Sequence, residues 1–242
     1  MPDHNSPALP DLHHRLEAEG HIFAPRTVTQ AQLSINLSEA WPAFAASWND
    51  LGADRFMADG GRYRKRRHAV FTLSEHGFTR EAHQPHYQSR DYNLLNGGVQ
   101  RWFEPVTPET AVNPAFLALL DLCRDLFTDP VMPADWRVEI HQFRIEPAPD
   151  EAGQPTPEGM HRDGVDRVAV ILIDRLNVGE GVTAICGPGR KPLGTFTLSE
   201  PLDAVFLDDH RVLHGVTPIH RLAPDSPGHR DVLVVTFQRI LD

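Results

Sequence analysis

The chain has 242 residues, enough to bury a sizeable core, and its 40% hydrophobic and 23% charged content is that of a globular protein. A formal net charge of −10 argues against general binding to nucleic-acid phosphates or to an anionic membrane surface. Two cysteines, Cys123 and Cys186, offer neither a disulfide framework nor a zinc-finger spacing, which suits a reducing compartment.

The opening MPDHNSPALPDLHH has no apolar core behind basic residues, so no signal peptide is expected. No apolar run approaches the ~20 residues of a bilayer-spanning helix, and a soluble cytoplasmic protein is the expectation. Residues 1–10 are polar and proline-bearing and read as disordered. From Pro10 to Gly20 the chain reads as a short helix ended by glycine. Trp41, Phe44, Ala45, Trp48 and Leu51 recur at helical spacing, and their aromatic rings read as core. Residues 62–73, RYRKRRHAVFTL, run into an extended segment. A helix is expected from Asn113 or Pro114 to Phe127, with Phe116, Leu119, Leu120 and Cys123 on one face.

Beyond Pro133 the texture becomes β-branched and aromatic. Strands are expected at 136–145, 166–176, 182–186, 194–198, 203–209 and 231–240, broken by Gly, Pro, Asn or Asp. Short strands at this spacing predict a sandwich or barrel. DRVAVILIDRL is too evenly apolar for one wet face and should be covered on both sides. The segment 147–159 is a loop by composition. One domain over 1–242 is therefore expected, with a helix-rich part at 11–132 packed on a β-rich part at 133–242.

The chemistry-bearing residues lie in the β-rich part. In GMHRDGVD, His161 and Asp163 stand at i and i+2 and project from one side of an extended backbone. As an isolated pair they read as a turn in which Asp163 caps amides before Gly164. Downstream, however, VLHGVTPIH supplies His214, and Arg230 opens the last strand. Two imidazoles and one carboxylate on one face of a metal leave positions open, as oxygen activation at Fe(II) requires. The arginine fork can clamp a carboxylate through two hydrogen bonds.

PEGMHRDG, VLHGVTPI and RDVLVVTF together resemble the iron(II)/2-oxoglutarate-dependent dioxygenases. More narrowly, they resemble the bacterial subgroup of free-amino-acid hydroxylases of the L-isoleucine dioxygenase type, with its biofilm- and motility-associated homologues. YQSRDYNLLNGGVQRWF and WRVEIHQFRI extend the resemblance over roughly residues 55–242. The resemblance implies a mainly β fold, a double-stranded β-helix or jelly roll buttressed by N-terminal helices. It implies iron ligation by His161, Asp163 and His214, with no catalytic residue beyond these ligands. It further implies that Arg230 binds the 2-oxoglutarate C5 carboxylate. Cofactors would be Fe(II), 2-oxoglutarate and O₂. The reaction would be hydroxylation of a small substrate such as a free L-amino acid, with release of succinate and CO₂. One departure stands out: where many members carry Gly-Gly, Glu180 separates Gly179 from Gly181.

Two readings from other classes stay open: a metal-binding jelly-roll sensor without turnover, and a cupin-like metal hydrolase or isomerase. Neither needs the carboxylate clamp. His210, His220 and His229 compete with His214 for the third ligand position, and Arg221 competes with Arg230. Asp208 or Asp209 could orient a ligand imidazole. His141, Gln142 and Arg144 interrupt a buried strand, with Gln142 and Arg144 on one face and His141 on the other. With Thr183, they are candidates for the substrate or cosubstrate pocket. The run from Arg62 to Arg67 normally makes a solvated face, but one of its residues could meet a substrate carboxylate. Tyr87, Gln88, Asn93, Asn96, Gly97 and Gly98 read as a loop, with a lid or pocket wall as the functional alternative.

Overall fold

The computed structural model describes residues 7–93, 95–129 and 134–241. The disorder expected for 1–10 therefore falls outside the described residues as far as residue 6, while Leu9 and Pro10 already belong to helix α1 (Leu9–Glu19). That helix stops where Gly20 takes a φ of 77° and its amide bonds back to the Leu16 carbonyl. Only a residue without Cβ adopts that conformation at no steric cost.

Five strands build most of the framework: β1 (His21–Ala24), β2 (Arg64–Ser74), β5 (Trp136–Ile145), β6 (Arg167–Leu176) and β13 (His229–Arg239), after β3 (Gly77–Arg80) and β4 (Glu104–Pro105). With β10 (Ala204–Asp208) they form one large sheet in the order β1-β10-β6-β13-β5-β2-β3, and β4 pairs with β2. A second sheet is ordered β11-β8-β9, from β11 (Leu213–Val216), β8 (Val182–Cys186) and β9 (Pro192–Thr197). β7 (Val178–Glu180) and β12 (Ile219–Arg221) form a third, two-stranded pair. The fold is the expected jelly roll, mainly β and antiparallel, with helices on one flank.

The side-chain alternation of the large sheet decides what lies where. On its rear face Ala69, Phe71, Val138, Ile140, Ile171, Leu233 and Phe237 join the main core with α1, α3 (Trp41–Ala46) and α5 (Pro114–Phe127). Asn113 caps α5 through Oδ1, which accepts the Ala115 amide at 2.8 Å, and Pro114 opens the first turn. On the front face Val168, Leu172, Val205 and Val232 pack towards Ile185, Phe196 and Leu198 of the opposing layer. β6 is thus covered on both sides, as its even apolarity demands.

All the α-helices of the described residues lie before residue 132, but that part of the chain also supplies strands to the large sheet. β1, β2, β3 and β4 all precede residue 132, and β2 lies fully inside the large sheet, paired with β5 from Arg64↔Ile145 to Leu73↔Trp136. The boundary at 132/133 itself lies outside the described residues. The short β1 and β3 were not expected because four residues carry too little periodicity to register. Among the described residues no helix is long and apolar enough to cross a membrane.

Phe116 is fully buried and packs against Phe44 and Phe71, joining α5 to α3 and to β2. Phe116→Ala is expected to destabilise the fold by about 3–5 kcal/mol, read as a lowered midpoint in urea denaturation with an unchanged slope.

Candidate active site

The front face of the large sheet opens into a cavity of about 370 Å³. Strand alternation aims Glu139, His141, Phe143 and Ile145 of β5 into it, and Arg230, Val232, Val234 and Thr236 of β13 beside them.

At one side of this cavity, His161 and His214 are joined by reciprocal backbone hydrogen bonds, each amide donating to the other's carbonyl at 3.0 Å. The pairing brings their rings to 4.4 Å between centroids. Asp163 completes the group, with Oδ1 3.6 Å from His161 Nε2 and Oδ2 3.7 Å from His214 Nε2. One ligand atom from each of the three lies within 4.8 Å of the others. His161 Nδ1 lies 3.0 Å from the Gly159 carbonyl, which can only accept. A neutral ring therefore carries its hydrogen there and presents the Nε2 lone pair towards Asp163. These three side chains could hold a divalent transition metal, and their donor set leaves room for further ligands.

Their electrostatics are those of a cation site. Burial opposes ionisation of Asp163, yet both imidazoles outweigh it and hold the carboxyl well below its usual range. Burial likewise opposes charge on His161, but Asp163, Glu158 and the Gly159 carbonyl raise its pKa to about 9. For His214 burial wins, with repulsion from His161, and its pKa falls to about 4.

The turn carrying Asp163 is fixed by Asp209. Its carboxylate accepts the amides of Asp163, Gly164 and Val165 at 3.0, 2.8 and 3.2 Å. Burial and the neighbouring Asp163 push the Asp209 pKa up to about 6, against those three hydrogen bonds. The turn pattern in the sequence was thus sound but its capping group is remote: Asp209 caps the amides, and Asp163 is left facing the imidazoles. Nor does Asp208 or Asp209 orient an imidazole. Asp208 pairs with Arg167 and accepts the His210 amide instead.

The rival residues lie elsewhere. His210 contacts Asp166, His229 contacts Asp174, and His220 is exposed. Arg221 is spent on the Pro147 and Pro224 carbonyls. Arg230 is 2% exposed, lines the cavity, and has Nε and one terminal nitrogen buried without any partner. Burial and repulsion from Arg175 lower its pKa to about 10. A buried guanidinium with free donors is a seat for an anion, and a carboxylate matches its fork.

Of the four pocket candidates, His141 and Thr183 line the cavity. Gln142 and Arg144 do not, and this is a correction. Both point to the rear face, where Gln142 donates to Ser47 Oγ at 2.9 Å and Arg144 makes a two-pronged pair with Asp231 at 2.7 and 2.6 Å. Their polarity serves a structural network under the 47–50 turn, because the sheet pleat separates them from His141. The 87–98 loop forms a wall: Gln88 Nε2 donates to the Asp163 carbonyl at 2.9 Å, and Tyr92 packs over Gly164. Residues not singled out from the sequence also line the cavity, notably His86, Arg101, Glu139 and Glu158. Arg101, Glu139 and Glu158 fall inside the stretches that carry the resemblance, but nothing in those stretches marks them as cavity-facing; His86 and Arg101 come from the 86–101 loop, Glu139 from β5 and Glu158 from the loop before β6. At the departure from Gly-Gly, both Glu180 and Gly181 take positive φ, 61° and 71°. Glu180 therefore holds a left-handed conformation that glycine adopts more readily.

A jelly roll with two imidazoles, a carboxylate and a free buried guanidinium at one cavity defines the class of metal-dependent oxygenase-type folds. The chain belongs to the 2OG-Fe dioxygenase family, whose model matches residues 45–236. It is 29% identical over 160 residues to a 3(1)-hydroxy-L-isoleucine 4-dioxygenase of Pantoea ananatis, a match spanning 64% of each chain. It is 24% identical over 156 residues to an L-isoleucine-4-hydroxylase of Bacillus thuringiensis, covering 63% of this chain and 64% of that one. The chain thus spans under two thirds of the length of these relatives in alignment. Among solved structures it is similar to a bsmA homologue from Methylobium petroleophilum PM1, at a TM-score of 0.84 and 35% identity, over 97% of this chain and 94% of that one.

Asp209→Ala would leave three partly buried amides without an acceptor. It is expected to cost about 1–3 kcal/mol and to speed hydrogen exchange at residues 163–165, measured by denaturation and by amide exchange.

Proposed function

We propose that this protein is an Fe(II)/2-oxoglutarate-dependent oxygenase that hydroxylates a small substrate, in the manner of the amino-acid hydroxylases it resembles. The observation that carries the reading is Arg230: a fully buried cation with unpartnered nitrogens, in the same cavity as His161, Asp163 and His214. A sensor that only binds metal, or a hydrolase or isomerase on the same scaffold, has no need of a buried carboxylate clamp. In this reading His161, Asp163 and His214 ligate iron and Arg230 holds the distal carboxylate of 2-oxoglutarate. Bound Fe(II), 2-oxoglutarate and O₂ supply the oxidising power, so that a substrate C–H becomes C–OH while 2-oxoglutarate becomes succinate and CO₂.

The protein's own part is positioning. Asp209 fixes the turn that presents Asp163, and the backbone pairing fixes the two imidazoles relative to each other. Thr183, on β8 beside β11, lines the cosubstrate side with Val170 and Val232. This apolar lining keeps water from the reacting centre and strengthens the pairing of Arg230 with a carboxylate. A cavity of about 370 Å³ lies at the small end of the range for small-molecule sites, which fits a substrate of amino-acid size beside 2-oxoglutarate.

Two outcomes test the reading. His161→Ala and Asp163→Ala are each expected to abolish Fe(II) binding in anaerobic equilibrium dialysis. Arg230→Ala should retain iron but weaken 2-oxoglutarate on the order of 10- to 100-fold, followed by the visible absorption of the anaerobic iron–2-oxoglutarate chelate. Iron binding without any 2-oxoglutarate chelate in the unaltered protein would favour the sensor.

A further inference from the structure

The basic run that the sequence left unassigned is not a solvated face. Arg62 is exposed, Lys65 pairs with Glu146 and Arg67 with Asp50, but Arg64 and Arg66 are 5% and 4% exposed and line the cavity. Arg101, 2% exposed, joins them from the end of the 86–101 loop. Each keeps a buried nitrogen without a partner: a terminal nitrogen on Arg64, and Nε on both Arg66 and Arg101. Their compensation is thin. Asp54 takes Arg64 Nε at 2.7 Å and lies 3.7 Å from Arg66, while Arg101 reaches only Gln88 Oε1, at 3.5 Å. Glu139, the next carboxylate in the wall, is already occupied by His68, His86 and Arg137.

Geometry makes this group rigid. The Arg66 guanidinium lies between two rings, 3.7 Å from the Phe103 centroid and 4.3 Å from that of Phe143, and donates to His141 Nδ1 at 2.7 Å. It is also distinct from the Arg230 seat. Arg64, Ile145 and Arg230 occupy one row across β2, β5 and β13. Arg64 and Arg230 are therefore roughly 10 Å apart, two inter-strand spacings of about 4.8 Å. The apolar stripe of Ile145 and Phe143 runs between them. Gln88 links the group to the iron side, since its amide also donates to the Asp163 carbonyl.

We propose that Arg64, Arg66 and Arg101 form a second anion seat in the cavity, which binds the carboxylate of the substrate and sets its distance from the iron side. This deepens the oxygenase reading and rests on it. Three buried, pre-positioned guanidiniums with free donors reward a carboxylate and reject its neutral isostere, whose amide leaves them unpaired.

The test uses the full chain with Fe(II) and 2-oxoglutarate under anaerobic conditions, titrated calorimetrically with the twenty L-amino acids and with their carboxamides. At least one acid should bind, and its carboxamide should bind on the order of 100-fold more weakly. Arg101→Gln and Arg66→Gln should each remove most of that acid-over-amide preference, while 2-oxoglutarate affinity in the same samples reports an intact cavity. The acid–amide comparison in the unaltered protein needs no variant to fold. Equal binding of acids and amides, a preference that survives both substitutions, or no binding by any acid overturns the arginine seat. If 2-oxoglutarate still forms its chelate in those cases, the oxygenase reading stands; if the chelate is also absent, that reading falls with it.

Discussion

The two hydrogen bonds between the backbones of His161 and His214 hold the rest of the site in register. His161 sits in a long loop and His214 on β11, so nothing in sequence proximity keeps them together. A hydrogen-bonded antiparallel pair places two side chains on the same face of the sheet. Here both are imidazoles, and the i+2 relation then brings Asp163 to the same point. Asp209 completes the constraint from a different strand end by collecting the amides of residues 163–165. Four residues from three separate stretches are thus fixed by hydrogen bonds to backbone, two of them between the backbones of His161 and His214 and three from backbone amides to the buried Asp209 carboxylate.

Charge is arranged in the opposite sense to the surface. The chain carries a net charge of −10, yet its cavity wall holds Arg64, Arg66, Arg101 and Arg230. A buried cation is costly unless paired. Arg144 shows the structural solution, a two-pronged pair with Asp231 on the rear face. Arg230 shows the other, with no carboxylate satisfying its fork. Both are buried, so what separates a structural arginine from one free to bind a ligand is whether the protein supplies the counter-ion. An acidic exterior with a cationic interior also disfavours non-specific capture of polyanions while keeping affinity for a small carboxylate that can enter.

Much of the fold was legible because its strands are long. β5, β6, β8 and β13 run close to the segments read from β-branched and aromatic composition, and α5 begins where Asn113-Pro114 says it should. The His-x-Asp, His and Arg positions were legible for a different reason: their order and strand contexts form a pattern. What stayed hidden were groups whose meaning lies in pairing. Gln142 and His141 are adjacent in sequence and equally polar, yet the pleat sends one to Ser47 and the other to the cavity. Alternation did place them on opposite faces, but sequence alone did not say which face the cavity occupied. Arg101, Glu139 and Glu158 lie inside the quoted stretches, but which way each side chain faces is settled only when those stretches pack around the cavity.

The docking of β2 on β5 explains why the basic run lies where it does. β2 precedes β5, β6 and β13 in the chain and enters the large sheet beside β5, two strands from β13. In the proposed reaction Arg230 on β13 would serve a cosubstrate that every cycle shares. The next strand, β5, contributes Ile145 and Phe143, which give no handle to a charge. The strand after it carries Arg64 and Arg66. Variation in β2 would therefore alter the wall facing the substrate without disturbing Arg230, because β5 lies between the two strands, whereas the 86–101 loop reaches the turn of Asp163 through Gln88. A division of this kind lets one scaffold keep its oxidising chemistry fixed while the residues that select the substrate change.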